Sequence, residues 1–282
     1  MELPRVLFTR FASDSKEMFN DIYAIDPDGK NETRLTVNPG PNGAYADNAG
    51  PRYNRDRSMI AFLSTKNHPK NYFNIFFMDL KTRKTAQVTQ GDLNIGSVDW
   101  SPDDKQLVFS GCDEKGLQQV HVVNLDGTGF TRLTEGPSEH VTPQWSPKGD
   151  RIAFVEFLPK SESSHVWTMD PKGGNRKKLT VDDAHHANPS WSPDGEWLVY
   201  RCDAGKPHLR KLHVESGKAA MFPPHETGVD SSPVWSEGGI IFSSNCDWQG
   251  AEALANLYRM SSEGQLQARL TRTETFEVCG DW

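Results

Sequence analysis

The chain has 282 residues, of which 35% are hydrophobic and 24% are charged, so it can bury a core and stay soluble. Its formal net charge of −7 argues against a nucleic-acid partner, because binding to phosphates needs a basic face. No apolar stretch approaches the roughly 20 residues of a membrane span. Met1 to Arg5 lead directly into apolar Val6, without the pattern of a signal peptide. We therefore expect a cytoplasmic protein, or a periplasmic one whose signal is absent from this chain.

The elements in chain order form a repeat of about 45 residues. Each full copy predicts an inner strand ending at an aromatic marker, a tight turn, an apolar second strand, an alternating third strand and a short fourth strand. The markers are Tyr53, Trp100, Trp145, Trp191, Trp235 and Trp282. Third strands turn on dipeptides such as Asp28-Gly29, which supply the positive φ of tight hairpins. Fourth strands end in Leu-Thr or a related pair, as at Leu35-Thr36.

The two ends of the chain together complete one repeat. Residues 4–36 lack a first strand, and Phe276 to Trp282 form a first strand with nothing after it. We therefore predict an all-β fold, a single six-bladed β-propeller domain over residues 1–282 with four-stranded blades. The C-terminal strand is predicted to close the ring by pairing with Arg5–Thr9 of the N-terminal blade, because an open ring would expose two sheet edges.

The repeat Trp-Ser-Pro-Asp-Gly, as at Trp191 to Gly195, resembles the TolB-like six-bladed β-propeller family over essentially the whole chain. The resemblance is specific for the fold and says little about activity. That family includes protein-docking propellers of the bacterial envelope, domains that precede peptidases, and a metal-dependent oligogalacturonate lyase branch. The resemblance thus implies a bacterial scaffold that binds a protein or a small molecule through its channel face. The alternative is a metal-dependent lyase or hydrolase on an anionic, sugar-like substrate, with its site at the channel mouth. Whether the chain is an enzyme stays open, and we expect a monomer.

One set of residues recurs five positions before each marker, where the inner strands are predicted to converge on the channel. In ring order these residues are Asn48, Ile95, His140, His186, Asp230 and Glu277. Four successive blades thus offer two imidazoles and two carboxylates, a set suited to Mn, Zn or Fe, or in a carboxylate-rich version to Ca. We predict one divalent metal here. Its predicted ligands are His140, His186, Asp230 and Glu277. The alternative is structural, since polar residues at this position can hydrogen-bond loop backbone near the channel.

Three further residues are predicted to contact a ligand at the channel mouth. Asn48 belongs to the ring, His185 adjoins His186, and Tyr45 lies in the long inter-blade loop from Val37 to Arg52. Extra loop length on a binding face often carries recognition, but a plain surface insertion explains it equally well.

Three of the four cysteines, Cys112, Cys202 and Cys246, each precede an aspartate just after a second strand. This recurrence predicts a structural role, in which the aspartate caps a turn and the thiol packs as a small apolar group. Equivalent points on neighbouring blades should be too far apart for a disulfide, so we expect free thiols.

Overall fold

The computed structural model describes residues 4–13, 18–37, 45–222, 228–246, 254–273 and 275–282. In these ranges, the strands form six four-stranded antiparallel sheets, arranged as the blades of a β-propeller. Among the same residues there is no helix with the length and apolar character needed to cross a membrane. The six-bladed propeller predicted from the repeat is confirmed.

The strands are numbered in chain order. Blade 1 contains β1 (Val6–Ser13), β2 (Met18–Ile25), β3 (Thr33–Arg34) and β24 (Glu277–Asp281). Blade 2 contains β4 (Asn48–Tyr53), β5 (Met59–Ser64), β6 (Asn74–Asp79) and β7 (Thr85–Gln87). Blade 3 contains β8 (Ile95–Trp100), β9 (Gln106–Cys112), β10 (Gln118–Asn124) and β11 (Thr131–Arg132). Blade 4 contains β12 (Glu139–Trp145), β13 (Ile152–Phe157), β14 (Ser164–Met169) and β15 (Lys177–Lys178). Blade 5 contains β16 (His186–Trp191), β17 (Trp197–Cys202), β18 (His208–His213) and β19 (Ala219–Met221). Blade 6 contains β20 (Asp230–Ser236), β21 (Gly239–Ser244), β22 (Asn256–Met260) and β23 (Leu266–Arg269).

The C-terminal strand closes the ring, as the split repeat predicts. Strand β24 pairs antiparallel with β1, which sets Glu277 opposite Arg10 and Cys279 opposite Phe8. The buried Trp282 adds a hydrogen bond from its indole Nε1 to the carbonyl oxygen of Pro4, 3.0 Å away. The first blade therefore takes its innermost strand from the end of the chain.

The Trp marker lies at or next to the end of its inner strand, and in blades 3 and 5 it also joins neighbouring blades. The indole of Trp100 in blade 3 donates to the carbonyl of Arg52 in blade 2 at 3.0 Å. The indole of Trp191 in blade 5 donates to the carbonyl of Gln144 in blade 4 at 3.1 Å. Because these two bonds cross from one blade to the preceding one, Trp100 and Trp191 help to set the spacing of the blades there, whereas Trp145 donates to the carbonyl of Gly149 in its own blade.

The trailing Leu-Thr pair has a structural function in five blades. The threonine Oγ1 accepts the backbone N–H of the third strand, as from Ile22 to Thr36 at 3.0 Å. The equivalent threonines are Thr36, Thr89, Thr134, Thr180 and Thr271. Leucine or valine beside each threonine is buried in the core between blades. In these five blades the end of the fourth strand is thus held to the third strand beyond the last backbone pair of the ladder.

Four inner strands contain a β-bulge two residues after the ring position. The bulged residues have positive φ and each precedes a proline; they are Gly50, Thr142, Asn188 and Ser232. The pairing with the second strand shifts by one residue at each of them. Because side chains alternate between faces along a strand, such a shift decides which residue of the second strand shares a face with the ring residue.

Candidate functional site

The six ring residues lie at or next to the start of the inner strands, and all six are buried. Each inner strand packs beside the preceding blade, so these side chains lie in the interfaces between blades. We call each interface, at the end where the inner strands begin, a seam, and number it by its two blades. The position five residues before the marker thus recurs in the structure at or next to the start of each inner strand, and its chemistry differs from seam to seam.

At seam 1–2 the ring residue Asn48 joins a buried carboxylate of blade 1. Asn48 Nδ2 donates to Asp21 Oδ1 at 3.2 Å, and the hydroxyl of Thr36 donates to the same oxygen. Arg34 forms an ion pair with the other oxygen of Asp21. Burial raises the pKa of Asp21, while Thr36 and Arg34 favour the charged form. Asn48 therefore acts in a polar network that holds blades 1 and 2 together.

At seam 3–4 the ring residue His140 bonds to Gln119 of blade 3. Its Nδ1 lies 3.0 Å from Gln119 Oε1, which also accepts the hydroxyl of Thr134 at 2.9 Å. Nδ1 is the donor, because an amide oxygen only accepts. The Nε2 atom lies 3.8 Å from Glu156 Oε1. Burial lowers the pKa of His140 to about 4, so the imidazole is neutral near pH 7.

The two carboxylates of the predicted ligand set lie at neighbouring seams. Glu277 accepts from Arg10 Nε at 2.7 Å and from Thr273 Oγ1 at 2.9 Å, and it also bonds to Thr271. Asp230 begins β20 and pairs with Ser244 of the next strand. Two of these three predicted ligands, His140 and Glu277, thus have side-chain partners within the protein. Their joint action on one metal stays a prediction.

The fourth predicted ligand, His186, lies in a group that sequence analysis did not recognise. Across the described residues, one group of at least three His, Cys, Asp or Glu side chains brings its ligand atoms within 4.8 Å of one another. It consists of Asp182, His186 and Cys202. Cys202 lies directly opposite His186 in the pairing of β16 with β17. Asp182 lies in the connection that precedes β16, with Oδ1 3.0 Å from His186 Nε2.

A short-range signal could have found Cys202. Pairing outward from the turn between Trp191 and Trp197 sets Asp203 opposite His186 if the register is regular. The bulge at Asn188 moves the pairing by one residue and brings Cys202 there instead. The local sequence signal for this bulge is the proline that follows Asn188 inside the inner strand. The four cysteines, all within the described residues, form no disulfide, as predicted.

A cavity of about 800 Å³ opens between blades 1 and 2. Its apolar wall includes Phe62, Phe76 and Met78, and two of the three residues predicted to contact a ligand, Tyr45 and Asn48, also line it. The cationic lining residues are Arg34, Lys66 and Arg83, and His68 also lines the cavity. None of the lining residues, all within the described ranges, is acidic.

The third predicted contact residue lies elsewhere. His185 is at seam 4–5, where its ring lies 5.2 Å from that of Phe157 and its Nδ1 is 3.8 Å from Asp203 Oδ2. The predicted ligand residues therefore divide between two regions of the ring. Residues 38–44 of the long predicted loop lie outside the described residues.

At the opposite end of the inner strands, three charged residues lie just before the markers. Asp99 accepts the backbone N–H of Trp145 at 2.8 Å, and Asp281 accepts that of Tyr53 at 2.8 Å. Burial raises the pKa of Asp99 to about 7 and also raises that of Asp281, while the charge of Arg52 acts in the other direction on both. These carboxylates join neighbouring blades at the marker end, as Asp21 does at the other end.

Proteins of similar sequence or structure support the fold, and they include a peptidase, a TolB protein and a lyase. Dipeptidyl-peptidase 5 of Porphyromonas endodontalis is 33% identical over 122 residues, which are 42% of this chain and 17% of that protein. TolB from Acinetobacter baumannii has a similar structure, with a TM-score of 0.74 and 19% identity over 98% of this chain and 66% of that chain. An oligogalacturonate lyase in complex with manganese has a TM-score of 0.60 and 16% identity, covering 90% of this chain and 71% of that chain. At these identities the two structures show the shared fold alone.

The matched segments span at most 37% of the length of the curated relatives compared. The family model described as the TolB beta propeller domain matches residues 5–279, nearly the whole chain. The six blades and the C-terminal closure agree with that match. The chain therefore belongs to the TolB β-propeller family.

Proposed function

We propose that this protein is a TolB-like binding propeller whose cavity at seam 1–2 takes a small anionic ligand with an apolar body. The observation that carries the proposal is the charge of the lining, which is cationic without an acidic residue in a chain of net charge −7. Such a cavity attracts anions locally, although the protein as a whole carries a negative charge.

The size and composition of the cavity suit such a ligand. A volume of about 800 Å³ lies in the range of small-molecule sites, which are mostly apolar with a few polar groups that fix orientation. Phe62, Phe76 and Met78 would contact the apolar body of the ligand. The same three side chains pack against buried core residues of both blades, which hold this wall of the cavity in position.

Two of the three cations are available to a ligand. Arg34 is paired with Asp21, and His68 is 3.1 Å from Asp92. Within the part of the chain that the structure describes, Lys66 and Arg83 have no carboxylate within ion-pair distance. We therefore assign the anionic group of the ligand to these two exposed side chains.

Tyr45 and Asn48 would supply the polar contacts at the inner end of the cavity. Tyr45 packs against Phe19, with ring centroids 5.1 Å apart. Asn48 Oδ1 accepts the hydroxyl of Ser64 at 2.8 Å, which fixes the orientation of its amide. A ligand that reaches this end would therefore meet an aromatic ring and a positioned amide.

The test uses 8-anilinonaphthalene-1-sulfonate, an anionic fluorophore with an aromatic body, titrated into the folded protein. The double variant Lys66→Gln/Arg83→Gln should bind it about three- to tenfold more weakly, since exposed charge pairs contribute roughly 0.2–1 kcal/mol each. The matched control is Lys81→Gln/Lys84→Gln, which removes the same charge from exposed residues outside the cavity lining. The control should bind like wild type. Equal dissociation constants for all three proteins would contradict the proposal.

The alternative of a metal-dependent lyase or hydrolase requires a metal beside the bound substrate. The group of described residues best suited to hold a metal, Asp182, His186 and Cys202, is at seam 4–5 and shares no residue with the cavity lining. For this reason we propose binding, and not catalysis, as the function of the cavity.

A further inference from the structure

The pairing of two strands in blade 5 brings an imidazole and a thiol to one face. His186 begins β16, and Cys202 ends β17 directly opposite it. Residues that are paired in this way have Cβ atoms about 4.5–5.5 Å apart. Both side chains are fully buried. The fold therefore holds a nitrogen and a sulfur ligand atom close together, with little freedom to move apart.

Hydrogen bonding fixes which ring nitrogen of His186 carries a proton. Nδ1 lies 2.6 Å from the carbonyl oxygen of Ser164, which can only accept, so Nδ1 is the donor. A metal-binding histidine commonly donates its other ring N–H to a backbone carbonyl in this way. In the neutral imidazole, Nε2 is then left with a lone pair.

That lone pair faces a carboxylate. His186 Nε2 is 3.0 Å from Asp182 Oδ1, but the two lack the alignment of a hydrogen bond, and this buried nitrogen has no hydrogen-bond partner among the described residues. With Nε2 unprotonated, two electron-rich atoms at this distance repel one another unless a metal cation lies between them, whereas a proton on Nε2 would form an ion pair. The thiol of Cys202 is the third ligand atom of the group.

The carboxylate is held in place from its other side. Arg210 Nη1 donates to Asp182 Oδ2 at 3.1 Å, which leaves Oδ1 directed to His186. Metal-binding carboxylates are commonly hydrogen-bonded through their second oxygen in the same manner. Arg210 thus acts as a positioning residue for the half-exposed Asp182.

We propose that Asp182, His186 and Cys202 form a binding site for a divalent transition metal, with Zn(II) as the preferred ion. One sulfur, one nitrogen and one oxygen ligand is a set typical of zinc, and three protein ligands leave a fourth position for water. Tetrahedral Zn–N, Zn–O and Zn–S bonds place ligand atoms about 3.3–3.6 Å apart, and the atoms of this group lie within 4.8 Å of one another. Binding converts the thiol to a thiolate and releases its proton to solvent.

This site differs from the ring of four ligands that the sequence predicts. Of those four, it uses His186 alone and replaces the others with residues of blade 5 and the connection before it. It is also independent of the cavity at seam 1–2, so the failure of either proposal leaves the other standing.

The test is a titration of the whole protein with Co(II), a spectroscopic substitute for Zn(II), followed by competition with Zn(II). Wild type should develop the near-ultraviolet thiolate-to-cobalt absorption band and lose it on addition of Zn(II). Cys202→Ser should not develop the band. Asp182→Asn, a change at a half-exposed side chain, should bind Co(II) about tenfold more weakly. The matched control Asp183→Asn, at the exposed neighbouring aspartate, should behave like wild type.

Three results would overturn the proposal. The first is the absence of the band in wild-type protein whose circular dichroism shows an intact β fold. The second is a band of equal intensity in Cys202→Ser, which would assign the thiolate to another cysteine. The third is an equal dissociation constant for Co(II) in Asp182→Asn and Asp183→Asn. The last comparison holds even if Cys202→Ser fails to fold.

Discussion

Seams 1–2 and 4–5 occupy equivalent places in the propeller but differ in chemistry and packing. At seam 1–2, Asn48 meets the carboxylate of Asp21, and a cationic cavity opens beside them. At seam 4–5, His186 meets the backbone and hydroxyl of Ser164, and the space is filled by a buried imidazole and the thiol of Cys202. The first seam is open to a ligand, and the second is suited to an ion.

The parts that the two seams share are those of the repeat. The third strand is held by Thr36 in blade 1 and by Thr180 in blade 4, through the same backbone bond at 3.0 Å in both. The differences arise at positions that the repeat does not fix, such as Asp182 in the connection before β16. These two seams thus share a backbone arrangement, including a bulge in the inner strand, and the side chains within it account for their different chemistry.

The largest effect is expected from opening the ring, since both seams exist only while the blades are packed together. Deletion of residues 275–282 removes β24 and Trp282, and leaves β1 as an exposed edge in blade 1. We expect a melting temperature at least 10 °C lower, with aggregation, as a blade loses its innermost strand. Thermal unfolding followed by light scattering measures both. A truncated protein that melts like the intact chain would contradict the role of closure.

The next-largest effect is expected from removing the polar side chain that bonds to the ring residue at each seam. Asp21→Ala leaves Arg34, Thr36 and Asn48 without their shared acceptor, and should lower the free energy of unfolding by about 2–4 kcal/mol. Ser164→Ala removes one hydroxyl, which bonds to the carbonyl and the N–H of His186, and should cost about 1–2 kcal/mol. Urea unfolding at pH 7 gives both values. A larger loss in Ser164→Ala than in Asp21→Ala would reverse the comparison.

Seam 1–2 should also respond to pH through its buried carboxyl. Burial raises the pKa of Asp21 above its ordinary value of 3.8, so the folded protein holds this proton more tightly than the unfolded chain does. The contribution of the group to stability is therefore present at low pH and is lost as the pH rises through the raised pKa. The variant Asp21→Asn has no ionisable carboxyl at this position, so it should not lose stability in this way. Urea unfolding from pH 4 upward should show wild type losing stability relative to the variant, and parallel profiles would contradict the assignment.

The smallest effect separates the two regions by ligand binding alone. Tyr45→Ala should weaken binding of the anilinonaphthalene sulfonate about two- to fivefold, because the ring lines the cavity at seam 1–2. His185→Ala, near seam 4–5, should leave that affinity unchanged. Fluorescence titration of both variants measures the difference. Equal weakening in the two would indicate that the fluorophore binds outside the cavity.

The sequence predicts the fold well because the repeat encodes it directly. Trp-Ser-Pro forms a tight turn that ends the inner strand. In blade 5 the N–H of Ser192 in this turn donates to the carbonyl of Trp197 at 2.9 Å. Leu-Thr ends a fourth strand through the threonine hydroxyl, as at Thr36. These are local effects of neighbouring residues, and a spacing of about 45 residues repeats them around the ring.

The sites are predicted less well because they depend on contacts between strands and blades. The offset from the marker predicts one residue of the proposed metal site, His186, but Asp182 follows no repeat, and the sequence favours a structural thiol at Cys202. One bulge, at Asn188, decides that Cys202 and not Asp203 lies opposite the imidazole. The cavity depends on the gap between two blades, which no local pattern encodes. The sequence indicated its inner end alone, through Tyr45 and Asn48.

The central claim is that the two seams bind different ligands independently. The most direct test is a titration of the anilinonaphthalene sulfonate and of Co(II) into the same three proteins: wild type, Lys66→Gln/Arg83→Gln and Cys202→Ser. We predict that the first variant weakens the fluorophore alone, by about three- to tenfold, and keeps the cobalt–thiolate band. The second variant should lose the cobalt–thiolate band and keep the wild-type affinity for the fluorophore. The two seams would not bind independently if either variant altered the binding of both ligands. They would not bind the assigned ligands if neither variant altered the binding of the ligand assigned to its own seam.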